Sequence, residues 1–170
     1  MLMIFFSFIL SQSWEIDTTY SYIKYLGDHR LHSWEGISKD INFRLDCNER
    51  CNLSISVPLE SLDSGNDSRD SNMLYYTESL LYPEVTFRSN DFIFNDGFDS
   101  SIDIDGFIRF HGIERKIPVK ISLSNQNNEL WGICDFNISL DSFNVERPSL
   151  LMMKISDEIK IETKFKLLRN

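Results

Sequence analysis

The chain is poor in the residues that most catalytic and nucleic-acid-binding proteins display. Its 170 residues include four prolines, seven glycines, three cysteines and three histidines. None of the glycines falls in a phosphate-cradling loop, and neither a G-x-S-x-G elbow nor an H-E-x-x-H pair occurs. Lys and Arg number 17 against 26 Asp and Glu, giving a net charge of -9 with no basic stripe. That balance argues against nucleic acid, or a strongly anionic membrane surface, as the main partner. No apolar run approaches the roughly 20 residues that a membrane-spanning helix requires.

Alternation is the dominant positive signal. One face of a first segment carries Ser21, Ile23 and Tyr25, and one face of a second carries Ile37, Ile41, Phe43 and Leu45. The same period of two runs through Leu53, Ile55, Val57 and Leu59, then Val85 and Phe87 with Phe92 and Phe94. It continues in Ile102, Ile104 and Ile108, in Ile117 to Leu123, in Cys134 to Leu140, and in Ile159, Ile161, Phe165 and Leu167. Opposite positions are mostly Lys, Glu, Asp, Asn and Ser, so each segment has one wet and one dry face, as in antiparallel sheets. Turn signals stand at Asn95-Asp96-Gly97 and at Asn125-Gln126-Asn127-Asn128. Eight such strands build a sandwich or a closed barrel, and periodicity alone leaves both open.

The pattern breaks once, between residues 61 and 87. Asp63-Ser64-Gly65 turns the chain, Asn66 to Ser68 offer side-chain oxygens for a helix start, and Pro83 ends the helical stretch. The expectation is one or two helical turns with an apolar face that includes Met73 and Leu74 and extends toward Tyr82.

Ser61-Leu62-Asp63-Ser64-Gly65, Arg69-Asp70 and Tyr82-Pro83-Glu84-Val85-Thr86-Phe87-Arg88-Ser89 together resemble the YceI-like lipid-binding family. Trp14-Glu15-Ile16-Asp17, the segment from Asp105-Gly106 through His111-Gly112-Ile113, and Glu146-Arg147-Pro148 extend the likeness along the chain. His32, Trp34 and Gly36 match a stretch found in one branch of the family. The resemblance implies an all-β fold with one short helical insert, an eight-stranded antiparallel lipocalin-like barrel with an apolar lumen. It implies residues 14–170 as that domain.

Residues 2–10 are apolar and uncharged, and Ser11-Gln12-Ser13 places small residues where a signal peptidase cuts. Residues 1–13 therefore read as a signal peptide, and the location as periplasmic or secreted; an apolar N-terminal strand is the alternative. No cysteine stands near the cut to carry a lipid anchor.

Cys47 and Cys51 flank a turn between two alternating segments, where they can close a small disulfide, while Cys134 reads as a buried core thiol. His29 and His32 lie in a connection between strands, so their spacing does not imply a metal site. Arg69 and Asp70 read as structural, Asp70 accepting N–H groups near the helix start and Arg69 tying the insert to the barrel by charge-assisted bonds. Arg147 is expected to do the same for a second loop, with Pro83, Gly106 and Gly112 as stop, strand contact and turn.

No nucleophile, base or metal set stands out, so the expected function is non-catalytic binding, with no cofactor. Ligand cavities are lined by apolar and aromatic side chains, and the chain is rich in Tyr, Trp and Met. With the resemblance, this points to an exported protein holding a long isoprenoid or quinone-like lipid. The expected lining is Ile23, Tyr25, Phe43, Ile55, Met73 and Tyr76 on the first half. Phe87, Ile108, Ile121, Phe136 and Met152 complete it on the second. The other reading is a filled barrel of the same fold acting as an interaction or stress-response module. A homodimer is open beside the monomer.

Overall fold

The structure, a computed structural model, describes residues 12–94, 100–126 and 129–169. The N-terminal strands are β1 (Gln12–Ile16), β2 (Tyr22–His29), β3 (His32–Ser38), β4 (Asn42–Cys47) and β5 (Cys51–Pro58). Helix α1 (Asp67–Tyr76) comes next, then β6 (Glu84–Ser89), β7 (Ser100–Phe110), β8 (Ile113–Gln126) and β9 (Glu129–Ser139). A small hairpin, β10 (Ser149–Leu150) and β11 (Met153–Lys154), precedes the last strand, β12 (Glu158–Arg169).

Every pairing is antiparallel, and the order β1-β4-β5-β6-β7-β8-β9-β12 returns to β1, which pairs with both β4 and β12. The result is an eight-stranded closed barrel. The 12-residue β12 meets β2 along Lys160 to Lys164 and β1 along Leu167 to Arg169, so two short strands share one of its edges. Two breaks, at residues 17–21 and 39–41, thus split one hairpin layer into an upper pair β2–β3 and a lower pair β1–β4.

The second break shifts the side-chain parity. Gly36 and Ser38 are buried on β3, whereas Ile41 and Leu45 are buried around β4. Ile37 therefore does not share the inward face of Ile41, Phe43 and Leu45. The cause is partly local and partly distant: the Ser38 hydroxyl accepts from the Asp40 N–H, and the Ile37 backbone exchanges both hydrogen bonds with Asp63. A single displaced residue exchanges the two faces of a strand.

Asn66 caps α1 by accepting from the Arg69 N–H, and Thr77 ends it with its hydroxyl on the Met73 carbonyl. The helix is longer than one or two turns and ends before Ser79. Glu78 then turns the chain through a positive φ of 49°. No residue of α1 is fully buried, but Met73 and Leu74 pack partly buried against the core, so the helix keeps a narrow apolar face.

The barrel is filled at one end and hollow at the other. At the filled end Trp14, Leu45, Phe92, Ile104 and Leu123 are buried together, with Phe43 tilted against Phe165 at a ring separation of 5.3 Å. A disulfide joins Cys47 and Cys51 across the β4–β5 hairpin there, with α-carbons 4.1 Å apart. The turn signal at 95–97, residues 127–128 of the second turn signal and residues 1–11 of the signal-peptide reading lie outside the described residues. Gln12 and Ser13 belong to β1 and pair with Cys47 and Asp46.

Candidate functional site: the hollow half of the barrel

Strands β5 and β12 set the length of the hollow. Leu53, Ile55, Val57 and Leu59 line it from one side, and Ile159, Ile161, Thr163 and Phe165 from the other. Six residue steps of strand span about 20 Å. The cavity holds about 350 Å³ and is walled almost entirely by apolar side chains, within the range of small-molecule pockets. A second void of about 30 Å³ lies among the packed rings at the filled end.

Most expected lining residues face this space. Ile23, Tyr25, Ile55, Met73 and Tyr76 do, and so do Phe87, Ile108, Ile121 and Phe136. Phe43 lines the small void at the filled end instead. Met152 is 99% exposed at the tip of β10–β11 and touches no part of the lumen, because its apolar side chain sits on a turn and not on a barrel strand. Tyr75 likewise points outward, 76% exposed.

The mouth forms where the upper pair β2–β3 leaves the barrel wall. There residues 59–63 cross from β5 to β3, sealed by the Ile37–Asp63 hydrogen bonds and by the paired hydroxyls of Ser38 and Ser61. Helix α1 lies over this opening with Arg69, Asn72, Met73 and Tyr76 toward it, a single helical face. Asp70 accepts from the Ser64 N–H through both carboxylate oxygens. Arg69 reaches the Ser64 carbonyl and lies 5.9 Å over the Trp34 ring. Its tie to the barrel is thus a cation–π contact, not a charge-assisted hydrogen bond.

Tyr25 and Trp34 lie flat against the strand opposite. Tyr25 pairs with Gly36 and Trp34 with Gly27, and a β-carbon at either glycine would overlap the facing ring. The Tyr25 hydroxyl is buried and has no hydrogen-bond partner within the chain. Burial and the Asp70 carboxylate push its pKa up to about 12, with Arg69 and the nearby Trp34 indole opposing. Gly106 accommodates the Phe87 ring in the same way, and Gly112 holds a positive φ at the β7–β8 turn, beneath Tyr82.

His29 and His32, directly paired across the β2–β3 hairpin, also line the mouth, with rings 5.8 Å apart. Sequence spacing missed this, although a two-residue turn makes positions i and i+3 cross-strand neighbours. Among the described residues, no cluster of three or more His, Cys, Asp or Glu could hold a metal. Cys134 faces the lumen, buried, and burial pushes its thiol up to about 11. Arg147 forks onto both oxygens of Asp141 and donates to the Ile155 carbonyl, closing the loop beside the mouth. Pro83 accepts from the Leu59 N–H and fixes the return of the insert to β6.

A closed barrel with this insert, this mouth and an empty apolar half has known counterparts. A YceI-like domain family matches residues 14–167. The chain belongs to the YceI-like family. Burkholderia cenocepacia BcnA is similar to this YceI-like chain in structure, with a TM-score of 0.77 and 16% identity over 91% of this chain and 99% of that one. A polyisoprenoid binding domain from Saccharophagus degradans has a TM-score of 0.74 and 12% identity, over 94% and 98%. The Campylobacter jejuni YceI protein has a TM-score of 0.61 and 15% identity, over 79% and 84%. No curated protein is significantly similar in sequence to this YceI-like chain.

Proposed function

We propose that this protein is an exported, non-catalytic carrier that holds one long apolar lipid, of isoprenoid or quinone type, in the hollow half of its barrel. The observation that carries the reading is the shape of the cavity, about 350 Å³ spread along the strands between apolar walls. A globular metabolite would leave such a channel partly empty, and a flexible chain fills it. At roughly 25 cal/mol per Å² of apolar surface removed from water, burial along the channel binds such a chain without a specific polar motif.

The mouth suits an oxygen-bearing head. Tyr25 offers a buried hydroxyl without a partner, and Arg69 and Asn72 bring hydrogen-bond donors from the helix. The structurally similar S. degradans protein is described as a polyisoprenoid binding domain, which supports the same class of ligand here. A filled-barrel interaction module is disfavoured by the volume of the void. The apolar segment 2–10 supports export, to the periplasm or outside the cell.

The test is native mass spectrometry of the purified protein, followed by solvent extraction and uptake of an added isoprenoid quinone. A bound lipid, or uptake at one per chain, is expected. Absence of both would overturn the carrier reading. N-terminal sequencing of the exported protein is expected to begin at Trp14.

A further inference from the structure

The β10–β11 hairpin carries a combination that folded proteins avoid. Ser149 pairs with Lys154 and Leu150 with Met153, leaving Leu151 and Met152 as a two-residue turn. Both have positive φ, 51° and 65°. Consecutive left-handed residues between antiparallel strands suit Asn-Gly, and a bulky side chain there is strained. Leu151 and Met152 are also 71% and 99% exposed. Strain and solvent-exposed apolar surface are each unfavourable, and together they mark a site that gains something when a second phase or partner covers it.

Position says what that phase is. Leu31 N–H donates to His29 Nδ1, so the His29 ring donates through Nε2 to the Met153 carbonyl, 3.3 Å away. The Ser156 N–H donates to the Asp28 carbonyl. These bonds hold the hairpin beside the β2–β3 turn, Arg30–Leu31, where Leu31 is 57% exposed. His29, His32, Pro148 and Ile155, which flank the two tips in sequence, line the mouth of the cavity. Arg30 and Lys154 stand next to the apolar tips, exposed and without an ion pair among the described residues. Apolar tips with cations just behind them match the acyl layer and phosphates of a phospholipid surface.

We propose that Leu151, Met152 and Leu31 insert into the interfacial layer of a zwitterionic phospholipid bilayer, which sets the cavity mouth against the membrane. Zwitterionic lipid is specified because the chain carries a net charge of -9, which repels a strongly anionic surface. Only the position of the mouth is shared with the carrier reading.

The test is flotation of the full chain with phosphatidylcholine vesicles, comparing wild type with the double variant Leu151→Asn, Met152→Gly. Asn-Gly is the residue pair this turn favours, so the variant should melt at the same temperature as wild type or higher. Wild type is expected to float with the vesicles, and the variant to lose about tenfold or more of its partitioning, given the apolar surface removed. Failure of wild type to float, equal flotation of the variant, or binding only to a protein partner would overturn the proposal. Quinone uptake from detergent solution, measured on the same two proteins, keeps the readings apart. Uptake without flotation sinks the membrane contact alone, and flotation without uptake sinks the carrier alone.

Discussion

Gly36 and Tyr25 occupy one another's space across the β2–β3 pair: a β-carbon on residue 36 would fall within the tyrosine ring's own contact surface. The reciprocal arrangement of Gly27 and Trp34, two register positions away, makes the upper hairpin a pair of aromatic plates laid over bare backbone. One plate carries the unpartnered hydroxyl at the mouth.

Gly36→Ala should therefore push the Tyr25 ring off its strand and cost about 1–3 kcal/mol, the usual penalty of overpacking. Denaturant titration measures this. In a Tyr25→Ala background the same glycine substitution should cost far less, and equal costs in both backgrounds would show that the ring contact is not the cause.

Ile121 borders both the lumen and the small void at the filled end, at the floor of the hollow. Ile121→Trp places a large ring in existing empty space, so the melting temperature should hold while quinone uptake falls about tenfold or more, as lost buried area dictates. Uptake equal to wild type would mean that the ligand sits elsewhere.

The Cys134 thiol is buried in the lumen wall with its pKa raised to about 11 by burial, so it stays protonated at neutral pH. Thiol reagents at pH 7 should leave it unmodified in the folded protein and modify it fully in denaturant. Rapid labelling of the native chain would show that the lumen opens readily to water.

Burial works to raise the pKa of Asp157, but the Asp141 N–H, the Ser139 hydroxyl and Arg147 together lower it. A lowered folded-state pKa contributes stability above the carboxylate's unfolded pKa, and that stability is lost as pH falls through the folded value. Asp157→Asn should thus melt below wild type at pH 7, and the gap should close under acid. A gap that persists at pH 2 would assign the effect to packing.

The inward faces of β5, β8, β9 and β12 can be read directly from alternation, because a half-buried strand must put every second residue in the dry side. The faces around Ser38 and Ile41 cannot, since the parity change depends on Ile37 pairing with a residue 26 positions ahead, Asp63. Met152 misleads for another reason: apolar composition does not say whether a residue sits on a wall or a turn. His29 and His32 are readable in hindsight as a cross-strand pair, but only once the turn between them is known. The face that α1 shows to the lumen, Arg69 and Asn72 among apolar neighbours, is a property of its placement and leaves no mark in its pattern.

Because the barrel is packed at one end and hollow at the other, the residues that secure the packed end are mostly distinct from those that wall the cavity. The disulfide, Trp14 and the tilted pair Phe43 and Phe165 secure the packed end. Substitutions along the hollow half can then widen, shorten or reshape the channel without dismantling its foundation. Such a division lets one scaffold change the shape of its hollow by altering a few wall residues.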